Sequence, residues 1–348
     1  METKGLTATI IFEAQSLNYD EGYGNLSVLK KLHRGSGEVY TYSSRQSLRY
    51  SIFIQGVREF GWKQSEVEEA GSRDQTVTQL ITDIDKSEES DLFGYMRTNV
   101  KVGEKKEVSV LRTTPIRILP AIALEPYKND LEMLTNKYQA DKIQSNPNIA
   151  NIEFQKSLYR YTIAIDLHRI GNEEDKIGTR IAPGKNTNPE DYSNYEKELR
   201  SKKLNADERK NNEEKANRVI QFLEIIKLLY RDIRGRREDL KPLFIIGGVY
   251  DTCNPFFENL VNVEWKKDKP EILTEPIKEL LNGKYFAKKG DKLIEKSIKD
   301  DTIIGIRKGY FANQDANFNN GTCSPEEAIV RFREKVREYY GVKNDKER

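Results

Sequence analysis

The order in which apolar patterning changes its period along the chain limits the fold more than any other feature. Leu6, Ala8, Ile10 and Phe12 alternate with Thr7, Thr9 and Ile11, the period of two expected of a half-buried strand. Leu48, Ile52, Phe53, Gly56 and Phe60 then recur at helical intervals as far as Gly61, behind a Ser43-to-Gln46 spacing that fits a capping box. Residues 107–124 return to a β-rich pattern through Val108, Val110, Ile116, Ile118 and Ile122, cut into pieces by Pro115 and Pro120. Tyr161, Ile163, Ile165 and Leu167 alternate again within residues 158–167. Val219, Phe222, Leu223, Ile226, Leu229, Tyr230 and Ile233 form one apolar stripe of helical period, which predicts a helix packed on a sheet. The apolar run 243–250, between Pro242 and Asp251, reads as a central strand in which Gly247 and Gly248 allow a neighbouring backbone to come close. Strand, helix, strand, strand, helix, strand predicts an α+β, ferredoxin-like βαββαβ domain, the architecture of an RNA-recognition fold.

The stretches between these elements are polar. Residues 17–42 hold Gly22, Gly24, Gly35 and Gly37 among tyrosines and basic residues, and read as a loop. Residues 62–90 form an acidic and polar insertion. Residues 125–155 contain Leu131, Met133 and Leu134 without a complete amphipathic face, as a protruding hairpin or finger would. A charged insertion covers 171–212. Near the end, Ser324 caps, Pro325 takes the first helical position, Glu327 completes a capping box, and Ile329, Phe332, Val336 and Tyr340 face inward up to Gly341.

Composition narrows the chemistry. The 58 basic and 56 acidic residues leave a net charge of +2, so nucleic-acid binding requires a local basic track. The only histidines are His33 and His168, and the two cysteines, Cys253 and Cys323, lie far apart, so no metal and no cofactor is expected and both thiols should be free. Without a signal peptide or an apolar run of about 18 residues, no membrane association is expected and the protein reads as cytoplasmic. Residues 178–185, GTRIAPGK, have five residues between the glycines and Asn186 where a phosphate-binding loop needs Ser or Thr, so they read as an ordinary loop. Asn25 and Asn320 begin chance glycosylation-type triplets.

The residues that best suit an anion lie around the start of the first helix. Lys30, Lys31 and Arg34 approach its N-terminus at Ser43, where unpaired amides and the macrodipole favour negative charge, and Arg45 and Arg49 lie one turn apart on one face. Tyr19, Tyr23, Tyr40 and Tyr42 could stack on exposed bases. A solvated basic loop with packing tyrosines fits the same residues equally well. Arg231, Arg234, Arg236 and Arg237 form a second cluster around Gly235, where cations could also simply offset the dipole of the preceding helix. Arg97, Arg112 and Arg117 are further candidates.

Six motifs occur in an order similar to that of one family: AQSLNYDEG (14–22), YSSRQSLRYS (42–51), DLFGYM (91–96), TTPIRILPAIAL (113–124), AIDLHRIG (164–171) and GRRED with PLFIIGG (235–248). They resemble the CRISPR-associated Cas seven family, within it the type I-B Cascade backbone subunits that include the DevR autoregulators. The resemblance implies an RNA-recognition-like palm over residues 5–260, fingers at 62–90, a thumb at 125–155, and a helical extension at 261–348 packed on the palm. It also implies several copies stacked head to tail along one crRNA, with target DNA paired through the guide and other Cascade subunits as partners. Palm contacts carry over to Asn18, Ser43, Ser44, Arg45 and Arg49, and a wedge against a displaced base to Met133 or Leu134. Such type I subunits do not cut RNA; related type III subunits do so with a loop aspartate, and Asp20 here is expected to shape its loop through an Asx turn. Two rivals remain: a guide-processing endoribonuclease using His33, and a DevR-type transcriptional regulator.

Overall fold

A computed structural model describes residues 3–343 except 73–74, 104, 186, 317 and 319–320. Asn186 and Asn320, weighed above, lie outside the described residues. The first strand, β1 (Gly5–Gln15), stands at the centre of a mixed α+β architecture. Its Leu6, Ala8, Ile10 and Phe12 enter one apolar cluster and Ile11 enters another, so the strand is buried on both faces and not on one. The alternation came from two buried threonines. Thr9 shares a 2.9 Å hydroxyl hydrogen bond with Thr162, and Thr7 donates to the carbonyl of Asn254, which satisfies polar groups that would otherwise be costly to bury.

Residues 17–42 are not a plain loop. They contain β2 (Leu26–Ser27), β3 (Lys31–His33) and β4 (Val39–Ser43). The first helix, α1 (Arg45–Phe60), is capped by Ser44, whose Oγ accepts the Ser47 N–H at 3.2 Å. The expected Ser43–Gln46 box is therefore displaced by one residue, because Ser43 is the last residue of β4 and is buried in the sheet. Gly61 ends α1 in the left-handed region, as the sequence implied.

Residues 62–90 form the hairpin β5 (Val67–Ser72) and β6 (Gln75–Leu80) and lead into α2 (Glu88–Phe93). There follow β7 (Tyr95–Val102), β8 (Lys105–Arg112), β9 (Ile116–Ile118) and β10 (Ala121–Ala123). A projecting unit comes next: β11 (Asp130–Thr135), α3 (Lys137–Lys142) and β12 (Ile149–Phe154), followed by β13 (Lys156–Asp166). The charged insertion 171–212 is structured, with β14 (Thr179–Pro183), α4 (Pro189–Ser201) and the start of α5 (Glu208–Lys227). Most of GTRIAPGK is strand β14, paired with β8, so its backbone serves a sheet and cradles no phosphate.

Helix α5 ends six residues before its stripe does. Tyr230 and Ile233 belong to the hairpin β15 (Tyr230–Ile233) and β16 (Arg236–Asp239). Ile233 faces Arg236 across the hairpin, and the two turn residues, Arg234 and Gly235, both have positive φ, the geometry of a two-residue primed turn. Then come β17 (Phe244–Tyr250), β18 (Val263–Lys266), β19 (Lys269–Ile272), α6 (Glu275–Leu281), β20 (Lys284–Lys289), β21 (Lys292–Ser297), β22 (Thr302–Ile306), β23 (Thr322–Cys323) and α7 (Pro325–Tyr340). The C-terminal part is thus not purely helical: β22 and β23 extend the main sheet.

That sheet has the order β23-β22-β17-β1-β13-β10-β4-β3, with β9 also on β13. The strands β17, β1, β13 and β10 are mutually antiparallel neighbours. Gly247 is required where β17 meets β1, since a Cβ there would lie 2.0 Å from the Thr7 carbonyl oxygen. Helices α1, α5 and α7 cover one face through Leu48, Ile52, Phe222, Ile226, Phe332 and Val336. Phe257, Ile272, Ile277, Phe311 and Phe318, from the C-terminal part, cover the other. Both cysteines are free, and among the described residues no helix is long and apolar enough to cross a membrane.

Candidate nucleic-acid interface

The N-terminus of α1 is the place where positive charge is left uncompensated. Of the four helices longer than twelve residues, α1 alone has no acidic residue in its first turn; α4, α5 and α7 each have at least one. Its positive macrodipole end therefore has no side-chain anion of its own. Asn18 Nδ2 donates to Ser44 Oγ at 3.2 Å, and the Asn18 carbonyl accepts the Lys30 N–H at 2.9 Å, which ties the β1 exit loop to the cap. Ser43 Oγ donates to Ser47 Oγ at 3.2 Å.

Arginines flank this turn on two sides. On one, Arg45 is exposed without an ion pair among the described residues, and Arg49 pairs with Glu89 at 3.3 Å over the Phe93 ring. Both line a groove of about 320 Å³ between α1 and the β7–β9 region, with Gln46, Tyr95, Thr113 and Thr114 among its walls. On the other side the β15–β16 hairpin brings Arg231 against Ser43 and Ser47, to whose hydroxyls its guanidinium donates. Arg231 is half-buried and has no carboxylate partner among the described residues, and burial pulls its pKa below the usual arginine value. Next to it, Arg234 lies 3.9 Å over the ring of Tyr19.

Long-range folding assembles this cluster from β1, α1 and the hairpin. Arg231 and Arg234 were visible as part of a basic run, but the continuing apolar stripe assigned them to a helix end. The signal that could have placed them is Arg234-Gly235, a pair suited to a tight hairpin turn.

Other sequence-predicted positions fare differently. Arg34 is exposed, 5.6 Å from the Tyr40 ring centre. Lys30 is paired with Asp20 at 3.2 Å and Lys31 with Glu153 at 2.6 Å. Arg112 and Arg97 are corrections, because neither can reach a ligand. The Arg112 side chain is fully buried, bonded to Asp91, Glu173 and three backbone carbonyls. Arg97 is buried against Asp83 and the carbonyls of Leu80 and Thr82. Arg117 pairs with Asp166 at 2.8 Å, and by strand alternation it leaves the face that Ile116 and Ile118 share with α1. Arg236 pairs with Glu238, and Arg237 is bidentate with Asp232 at 2.7 and 3.0 Å.

Asp20 Oδ1 accepts the N–H of Glu21, one residue on, and not the residue two ahead that an Asx turn requires. His33 is exposed at the edge strand β3 and makes no hydrogen bond or ion pair among the described residues. No cluster among them could hold a metal.

The unit 130–154 projects as a hairpin. All six residues of β11 are exposed, including Met133 (64%) and Leu134 (43%). Pairing of Met133 with Asn151 and Thr135 with Ile149 puts Leu131, Met133 and Ile149 on one face, and Leu134 on the other. The unit is joined to the cationic region by the Lys31–Glu153 ion pair and the Leu29 N–H donating to Glu153.

A search of curated proteins finds no match. Among solved structures, a chain of a "CRISPR RNA-guided surveillance complex, pre-nicking" is similar over 95% of this chain and 100% of its own, with 10% identity and a TM-score of 0.52. A chain of another "CRISPR RNA-guided surveillance complex" covers 76% of each, with 13% identity and a TM-score of 0.39. At such identity the first of these speaks for the fold alone. The family described as "CRISPR-associated negative auto-regulator DevR/Csa2" matches residues 6–270, which takes in β1, α1, the basic hairpin and every strand between them. On that match the chain belongs to the DevR/Csa2 family of CRISPR-associated proteins.

Proposed function

We propose that this protein is a non-catalytic, cytoplasmic backbone subunit of a type I-B-like CRISPR Cascade complex. Its ferredoxin-like palm, a modified RNA-recognition fold built on β1, α1, β9–β10, β13, α5 and β17, holds the sugar–phosphate backbone of a crRNA at the α1 N-terminus. Further copies stack along the guide, the β11–β12 hairpin serves as thumb with Met133 or Leu134 as the wedge, and target DNA pairs with the held guide beside the other subunits.

The observation that carries this reading is Arg231: a half-buried guanidinium with no carboxylate partner among the described residues, aimed at the serines of a helix N-terminus that itself lacks an acidic residue in its first turn. A phosphate there would meet Arg231, Arg45 and the free first-turn amides, with Asn18, Ser43, Ser44, Arg34 and Arg49 around it. None of these groups reads a base edge, which suits a subunit that must accept any spacer.

The test is guide-RNA affinity of the full chain with Arg45 and Arg231 both replaced by Ala. Loss of two phosphate contacts should weaken binding by a similar factor for every guide and flatten the slope of log K against log salt by about 1.4, at about 0.7 per single-strand phosphate. Arg237→Ala, which removes a group already held by Asp232, should change little. Unchanged affinity in the double variant, with its melting temperature preserved, removes the α1 site.

A further inference from the structure

We propose that the hairpin of β20 and β21 is a second nucleic-acid contact, which grips a single strand through Phe286 and Lys288 on one face, with Lys292 at its tip. It lies beyond residue 270, where the family match ends, and does not depend on what α1 holds.

Residues 284–297 carry five lysines against Asp291 and Glu295. Lys284 is paired with Glu295 at 2.6 Å, and Lys296 with Asp251. Lys288 and Lys292 are exposed and have no ion pair among the described residues. The hairpin has an anchored face and a presented one. On the anchored face Ala287 is buried and Tyr285 packs against Phe256, its hydroxyl accepting the Asp251 N–H. Phe286 faces Glu295 and Lys288 faces Leu293 across the ladder, so Phe286, Lys288, Leu293 and Glu295 share the presented face, and Lys292, the first residue after the turn, lies on the other face at the tip. Phe286 is 69% exposed and Leu293 72%.

The β5–β6 and β11–β12 hairpins carry acidic residues instead, with Glu68 and Glu69 on β5 and Asp130 and Glu132 on β11. The β20–β21 hairpin combines an exposed aromatic ring with two lysines that have no ion pair among the described residues. A duplex hides the π-faces of its bases, whereas a single strand offers them to a ring such as Phe286 while cations track its phosphates. Tyr285 packs on the sheet face opposite the one that α1 covers. A strand lying on this ribbon is therefore a different strand, or a different stretch, from one held at α1.

The experiment measures fluorescence anisotropy of a labelled oligothymidylate with the full chain carrying the Arg45→Ala and Arg231→Ala changes as parent. Binding should persist in that parent. Phe286→Ala should weaken it by about tenfold, within the range of one stacked base. Lys288→Glu with Lys292→Glu should weaken it at least as much and flatten the salt slope by about 1.4, while the Lys→Arg pair should retain it. Any of three results overturns the proposal: a parent that no longer binds, hairpin variants that bind as tightly as the parent, or hairpin variants that bind the oligonucleotide normally but lose retention on phosphatidylserine vesicles, which would make the ribbon a membrane contact. A failure of the guide-RNA reading would appear separately, in guide affinity unmoved by the two arginine changes.

Discussion

Asp91 holds two buried arginines in place. Its carboxylate, fully buried, accepts from Arg112 and Arg218 at 2.7 Å each and from the Gly171 N–H at 2.9 Å, which joins α2, β8, α5 and the turn after β13. Burial opposes the charge of Arg112, yet Glu173 and Asp91 hold its guanidinium above the ordinary arginine value. Asp91→Ala would take one carboxylate from each of two buried guanidinium groups, leaving Arg112 with Glu173 and Arg218 with Glu88 and Glu214, and should cost about 3 kcal/mol in urea denaturation; a loss below about 1 kcal/mol would show that these pairs contribute little. His168 gives a pH signature. Burial holds its imidazole below the ordinary value of 6.5 against the pull of Asp166 and Asp175. The unfolded chain therefore binds the proton more readily, so the stability His168 contributes is complete above pH 6.5 and declines as pH falls below it towards the folded-state value. The melting temperature of His168→Gln should fall less steeply than that of the native chain just below pH 6.5, and parallel curves would refute this. DLFGYM was legible in the sequence as a motif, but its role was not. The partners of Asp91 stand 21, 80 and 127 positions away, and no local pattern encodes such separations.

At the scale of elements, local signals succeeded where they were complete within one turn. Ser324, Pro325 and Gly341 bound α7 as expected, and Gly61 ends α1. They failed where strand and helix periods coincide for a few residues. Leu229, Tyr230 and Ile233 continue the stripe of α5 yet lie beyond its end, because the Arg234-Gly235 turn folds residues 230–239 into a ribbon. The β11–β12 hairpin was legible as a protrusion because its apolar residues lack a full face, and the structure leaves Leu131 and Met133 in solvent. Replacing both by Asp should leave the melting temperature within a few degrees, since exposed sites seldom exceed about 0.5 kcal/mol. If copies stack on one guide as proposed, the same change should reduce their number, as read by native mass spectrometry; an unaltered copy number would remove the hairpin from that assembly.

At the scale of the whole molecule, the C-terminal part completes the core instead of decorating it. Ile329, Phe332 and Val336 of α7 are fully buried in the cluster that contains β1 and α5, and the Tyr340 hydroxyl donates to the Leu167 carbonyl at 2.6 Å. A chain ending at residue 300 would expose that cluster, and should lose its cooperative thermal transition; a sharp transition in the truncated protein would make the C-terminal part dispensable for folding. The sequence by itself determined that β1, α1, β13, β17 and α7 form and which of their residues are apolar, because periods of 2 and 3.6 are properties of neighbours along the chain. It also marked where cations are dense. Which cations stay available was decided only by tertiary structure: Arg97 and Arg112 meet carboxylates brought from elsewhere in the chain, whereas Arg45 and Arg231 meet none among the described residues. Charge pairing acts through space, so the same residue type becomes a strut or a ligand site according to what the fold places beside it.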